Sequence, residues 1–389
     1  MRVGGIAGTV AVGTVVGWSM SNVGAVAPEL SHDYRLSIAT VGLLTTVVIA
    51  THTAMQIPAG RVVDRFGPQQ VGLLGLVLIA AFNALTLIAA EPWLVFAGRT
   101  VLGVGTGFAF VAAIEYSRQT SGSPFVLGLF GASTGLGGGL AVAIVPQVEQ
   151  LVHWRAPFLT ACGLALVALL VLAGGPAGRP VQRDAPLPAG AAGAVLRDRR
   201  VWRVGLSMAA PSGMSLILGT WVVTLLVKAG GYSTREAGLI GSLVLVGGIV
   251  TRPISGWVMR SHPYAMRKVI VGSVVVGIGG TAALTEARQL PLVILGSLLV
   301  GLCSGLSFAY GYTTAARIRP DGPAVAAAMV NTCGLLLMVI SIPLVGLTFS
   351  LPGHGRIGFI AAAALWGVSV LFLPDPHGEG VSVAAPLEP

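Results

Sequence analysis

Runs of about 20 apolar residues, parted by short clusters of Arg, Asp, Pro and Gly, recur from one end of this chain to the other. Such a run, neither alternating nor striped, has the length a helix needs to cross hydrocarbon. No water is available there to satisfy loose backbone groups, so the spans must be helical. Of the 389 residues 54% are hydrophobic and only 10% charged, against about a quarter charged in soluble domains. A chain of that composition could not cover its surface in water.

Runs and breaks place helices over residues 4–28, 37–59, 70–90, 93–117, 125–147 and 156–174, then over 202–228, 235–258, 268–286, 291–315, 324–349 and 356–374. The expected architecture is an all-α membrane protein with twelve transmembrane helices in two pseudo-symmetric six-helix bundles. Residues 1–174 form the first bundle and 201–375 the second; 175–200, rich in Pro, Ala, Gly and Arg, reads as a cytoplasmic linker and 376–389 as a tail. The stretch from Met1 to Ala27 has the look of a signal peptide, but it is long, contains Trp18 and Asn22, and is read as a retained first helix.

With both termini in the cytoplasm, fifteen of the 23 Lys and Arg residues lie on that side and six outside, while Arg99 and Arg252 fall within spans. The positive-inside rule favours this orientation, a multi-pass protein of the plasma (inner) membrane. The net charge of +9 is spread over loops, so it reads as a topology signal and not as a nucleic-acid surface. Cys162, Cys303 and Cys333 lie inside apolar runs without paired spacing, which argues against a disulfide or zinc site. No metal or cofactor is expected. Gly131-Ala-Ser133-Thr-Gly135 and Gly277-Ile-Gly279-Gly-Thr-Ala282 match enzyme patterns only by coincidence, since neither sits in a strand-turn-helix context; the chain is not expected to be an enzyme.

The halves repeat. Ser37, Gly42 and Leu43 match Ser233, Gly238 and Leu239 at an offset of 196, and Pro58 and Gly60 match positions near Pro253 and Gly256. Gly103, Gly107 and Phe110 match Gly301, Gly305 and Phe308 at an offset of 198. Duplicated bundles are a transporter architecture, with the substrate site near the midplane between the repeats.

Between the second and third spans, Gly60-Arg-Val-Val-Asp64-Arg65-Phe-Gly67 resembles the loop motif of the major facilitator superfamily, and Arg99-Thr-Val-Leu-Gly103-Val-Gly105 is similar to its Arg and Gly motif. The resemblance implies alternating access and a gating set: Gly60, Asp64, Arg65 and Gly67 in the loop, Arg99 ordering helix packing, and Glu115 with Arg118 joining the cytoplasmic latch. The motif's usual basic continuation is replaced by Pro68, Gln69 and Gln70. In the fifth span Gly131, Gly135, Gly137, Gly138 and Gly139 resemble the glycine-rich stretch of nitrate/nitrite porters, though Gly138 stands where those hold Asn. The drug-antiporter Gly-Pro pair is missing. These glycines serve either simple packing or sliding of helices.

Gln56 and Arg252 are repeat mates. In nitrate/nitrite porters both equivalent positions resemble Arg clamps on the anion; here one arm is kept and one is neutral. A guanidinium inside a span suits a carboxylate or small oxyanion, and the alternative is snorkelling to the cytoplasmic interface. His52 shares a helix face with Gln56 and is either a ligand, a proton carrier or a hydrogen-bonded structural residue. The expected binding set is Arg252, Gln56, His52, Asn22, Tyr310 and Asn331. The expected cargo is a small anion, nitrate-like or carboxylate, coupled to protons or a counter-transported ion; drug or metabolite efflux and a non-transporting membrane sensor are the alternatives. A monomer in the lipid bilayer is expected.

Overall fold

The computed structural model describes residues 3–121, 124–179, 195, 197–319 and 323–374. Among them the regular structure is helical. The first half holds α1 (Val3–Ser21), α2 (Ala27–Asp33), α3 (Ile38–Phe66), α4 (Pro68–Thr86), α5 (Pro92–Ser121), α6 (Pro124–Val152) and α7 (Ala156–Ala173). The second holds α8 (Arg199–Leu225), α9 (Thr234–Ser261), α10 (Met266–Thr285), α11 (Leu290–Gly305), α12 (Phe308–Ile318), α13 (Pro323–Leu347) and α14 (Arg356–Val370). Nine helical stretches among the described residues are long and apolar enough to span a membrane, or ten if the bent pair formed by α1 and α2 is one span. One of the nine, Gly128–Ala173, takes in most of α6 and all of α7, and α14 is shorter. Of the expected linker, residues 180–194 and 196 lie outside the described residues, as does the tail 376–389.

Two expected single helices are broken. The first bends by 41° between Ser21 and Gly24, where Pro28 opens α2 and Gly24 lies directly against the Thr220 backbone, leaving no room for a side chain. The tenth breaks between Gly305 and Phe308 because the Ala309 N–H donates to Ser255 Oγ of α9, 3.2 Å away, and not down its own helix.

The repeat seen in the sequence is repeated in local structure. Ser37 and Ser233 both sit in extended backbone as N-caps, of α3 and α9, each with its hydroxyl accepting a bond from the first turn. Ser233 completes a capping box with Glu236.

The long helices run between a terminal end, which holds the start of α1 and Leu373, and a far end. Contacts between the halves gather at the far end. Trp221 of α8 is fully buried there, its Nε1 donating to the Ile342 carbonyl at 2.8 Å, and its ring fills the space that side chains on Gly42 and Gly346 would need. Thr234 donates to Glu29, and Gln147 donates to the Arg235 carbonyl at 3.3 Å. Gly139 of α6 fits Val246 and Gly238 of α9 fits Val142 and Pro146. Toward the terminal end the picture reverses: a side chain added at Gly60, Gly128 or Gly256 would meet nothing within 4 Å.

Candidate functional site

Small residues set the two polar side chains that the repeat relates. On the first side, Gly107 of α5 packs so tightly on α3 that a Cβ would lie 3.2 Å from the His52 carbonyl and 2.6 Å from Met55. On the second, Gly305 of α11 packs on α9, where a Cβ would lie 3.1 Å from the Arg252 nitrogen and 3.1 Å from the Gly248 carbonyl. The same glycine crossing thus fixes the turn carrying His52 and Gln56 and the turn carrying Arg252.

On the first side a directed chain of hydrogen bonds crosses from α3 to α5. Gln56 Nε2 lies 2.9 Å from His52 Nε2, His52 Nδ1 lies 3.2 Å from Thr106 Oγ1, and Thr106 donates to the Gly103 carbonyl at 2.9 Å. With the Gln56 amide oriented so, His52 accepts at Nε2 and donates at Nδ1, a neutral imidazole. Its ring meets Phe110 edge-on at 5.3 Å, and Phe110 meets Phe130 at 5.1 Å.

On the second side Arg252 does not turn toward the interface. Its Nη1 crosses to α6 and donates to the Gly131 carbonyl at 2.6 Å, and its guanidinium lies 5.1 Å above the Phe308 ring. Its Nε is buried and has no hydrogen-bond partner among the described residues. Arg252 lies about 27 Å along α9 from Thr234, where the far-end seal gives way to open space at Gly131 and Gly256. Tyr312 packs on Phe308 with ring centroids 4.9 Å apart and planes tilted by 56°, and its hydroxyl donates to Asn331 Oδ1 at 3.0 Å. The structure therefore brings Arg252 together with Phe308, Phe308 with Tyr312, and Tyr312 with Asn331. Gln56 and His52 pair with each other on the opposite half.

Two expected ligands are employed elsewhere. Asn22 is fully buried, donating to the Pro157 carbonyl at 2.7 Å and accepting from Arg99 Nη1 at 3.2 Å. Tyr310 packs with the apolar clusters around Met208 and Met259 at the terminal end. Tyr312, two residues on and so on the other helix face, is the ring beside Phe308. The i, i+4 spacing of Phe308 and Tyr312 within α12 is the sequence signal for that pair.

The gating candidates also divide. Arg99 is fully buried and ties three helices, donating to the Ser19 carbonyl at 2.9 Å, to Asn22 and to the Leu44 carbonyl at 3.2 Å. It therefore caps the carbonyl end of α1. Arg118 lies about 28 Å along α5 from it, so the two belong to different networks. Glu115 takes a two-pronged bond from Arg118, at 2.6 and 2.8 Å, and one from Gln119, which in turn exchanges hydrogen bonds with the Arg179 backbone. Gly67 has φ +88° and ψ 150°, a backbone region open to glycine, and turns the chain from α3 straight into Pro68 of α4. Arg65 lies 5.2 Å over the Phe66 ring, and Gly60 makes no close helix contact in this conformation. Gln69, standing where a basic residue was expected, donates to the Leu172 and Gly175 carbonyls and so caps α7 as a cation would.

Comparison with known proteins bears on this arrangement. The chain is 27% identical over 287 residues to the "Probable nitrate/nitrite transporter NarK2" of Mycobacterium tuberculosis, covering 70% of this chain and 69% of that one. It is 24% identical over 324 residues to the gentisate transporter of Corynebacterium glutamicum, covering 76% and 71%. Among solved structures the nucleoside transporter NupG superposes with a TM-score of 0.74 at 14% identity, over 95% of this chain and 98% of that one. Residues 9–342 match the Major Facilitator Superfamily. The chain, with its repeated glycine crossings, belongs to the major facilitator superfamily.

Proposed function

We propose that this protein is a secondary active transporter that works by alternating access, with twelve spans in two bundles, both termini cytoplasmic, and a small anion as cargo at Arg252. The observation that carries the reading is Arg252 itself. A guanidinium inside a span is costly, this one reaches across to the opposite half, and one of its donors is buried without a partner among the described residues. A carboxylate or oxyanion supplies the missing acceptor, and Gln56, its repeat mate, supplies neutral donor and acceptor groups on the other side. Similarity to a nitrate/nitrite transporter and to a gentisate transporter supports an anion. With the termini inside, the sealed far end is the periplasmic face, and the conformation is inward-facing. Coupling, if to protons, runs through His52, Glu115 or the cargo.

Uptake into proteoliposomes tests this. Labelled nitrate, nitrite, acetate and a neutral sugar are offered to the parent and to Arg252→Ala. Loss of a charge-assisted contact of about 1.5 to 3 kcal/mol lowers anion affinity by one to two decades, and Arg252→Lys recovers part of it, since ammonium lacks the planar fork. Equal transport of the neutral sugar by parent and variant, with no anion carried, overturns the anion assignment and leaves the transporter assignment standing.

A further inference from the structure

The surroundings of the guanidinium narrow the class of anion. Arg252 is one cation whose repeat mate, Gln56, is uncharged, so the pair balances one negative charge. A dianion would carry an uncompensated charge into a partly dehydrated site. The guanidinium is already set over the Phe308 ring, and Tyr312 packs on that ring at a tilt of 56°. In the first half, Phe110 meets the His52 ring edge-on. A bare inorganic ion gains nothing from such walls, because ring faces carry partial negative charge and disfavour an anion lying on them. An arene gains edge contact from the same rings.

The remaining groups have the polarity of a substituted ring. Gln56, and Asn331 with the Tyr312 hydroxyl, are neutral hydrogen-bonding groups with no charge to match. There is also room beside the cation: a Cβ at Gly131, whose carbonyl Arg252 holds, would meet nothing within 4 Å. The geometry points to a monocarboxylate borne on an aromatic ring as the cargo of this site, its carboxylate on Arg252 and its ring on Phe308 and Tyr312. This refinement rests on the anion reading above.

The test is calorimetric titration of the purified full-length protein with benzoate, cyclohexanecarboxylate, acetate, nitrate and benzyl alcohol. Benzoate and cyclohexanecarboxylate share charge and size, so their ratio reports the ring alone. One aromatic pair makes that ratio about three- to tenfold in favour of benzoate. Acetate and nitrate bind more weakly still, benzyl alcohol is not bound, Phe308→Leu brings the benzoate to cyclohexanecarboxylate ratio to about one, and Arg252→Gln removes carboxylate binding. On the parent protein alone, acetate or nitrate binding as tightly as benzoate overturns the aromatic assignment; if that binding is lost in Arg252→Gln, the anion site itself stands. Binding of benzyl alcohol as tight as benzoate, indifferent to Arg252→Gln, overturns both.

Discussion

Replacing Arg99 by Lys tests the buried network at the end of α1, and whether Asn22 serves it or the cargo. Arg99 makes three bonds, to the Ser19 carbonyl, the Asn22 side chain and the Leu44 carbonyl, at 2.9, 3.2 and 3.2 Å. A lysine ammonium on one stem can reach one of those acceptors well, so two bonds are lost. At about 0.6 kcal/mol each, typical of bonds between helices in a membrane, the cost is about 1 kcal/mol. At about 1.5 kcal/mol each, the lower value for bonds to a charged group, it is about 3 kcal/mol. The assay is reversible unfolding in mixed micelles for the parent, Arg99→Lys, Asn22→Leu and the double variant. Asn22 bonds both Arg99 and the Pro157 carbonyl, so the two changes share a contact, and their effects fall short of additivity by about 0.5 kcal/mol or more. Strict additivity, or an Arg99→Lys protein as stable as the parent, refutes the network. An Asn22→Leu protein of parental stability with altered cargo selectivity returns Asn22 to the binding site.

At the far end, Thr234 donates to Glu29, whose second oxygen is buried without a partner among the described residues; Thr234→Val removes that bond and shifts the population away from the sealed state by about tenfold. The readout is maleimide labelling of Val142→Cys, a buried position in the seal, in a background lacking Cys162, Cys303 and Cys333; unchanged labelling contradicts the seal. Gly305→Val drives a side chain into the Arg252 backbone and costs about 1 to 3 kcal/mol of stability together with anion affinity, both measurable on the purified variant. Gly67→Ala, at φ +88°, costs about 1 to 3 kcal/mol, seen as a lower unfolding midpoint. Asp198 caps α8 and is held below the ordinary carboxylate range first by its side-chain bond from Arg200, then by the Arg200 backbone N–H and the charges of Arg200 and Arg319. Its stabilisation is complete above the unfolded carboxylate value of about 3.9 and fades as pH falls through the lower folded value; Asp198→Asn flattens that acid limb in a pH series of unfolding curves.

The helices and the repeat were legible because hydrocarbon imposes both length and apolarity on every span, and because Ser37 and Ser233 mark equivalent starts. Gln56 and Arg252 were found by the same offset. The sequence could not show that Asn22 and Arg99, 77 residues apart, satisfy each other: a polar residue in an apolar run announces that it needs a partner, not which one. Only the fold separates Tyr310 from Tyr312: Tyr310 packs with the apolar clusters at Met208 and Met259, and Tyr312 packs on Phe308 and bonds Asn331. The two breaks depend on contacts between helices, Gly24 with Thr220 and Ala309 with Ser255, and no local pattern announces those. Gln69 departs from the motif in sequence, and only its two carbonyl partners at the end of α7, distant along the chain, give it a capping role.

The cap on α1 bears on how the protein is made. Ser19, Asn22 and Leu44, the three acceptors of Arg99, all precede it in the chain. When the ribosome delivers the span bearing this charge, which alone would cost about 2.5 to 3.5 kcal/mol to place in lipid, every group that will receive it has already been synthesised. Only Pro157, which completes the bonding of Asn22, arrives later. The order of synthesis thus supplies the acceptors before the charge that needs them, and the first half can close around Arg99 before α7 has emerged.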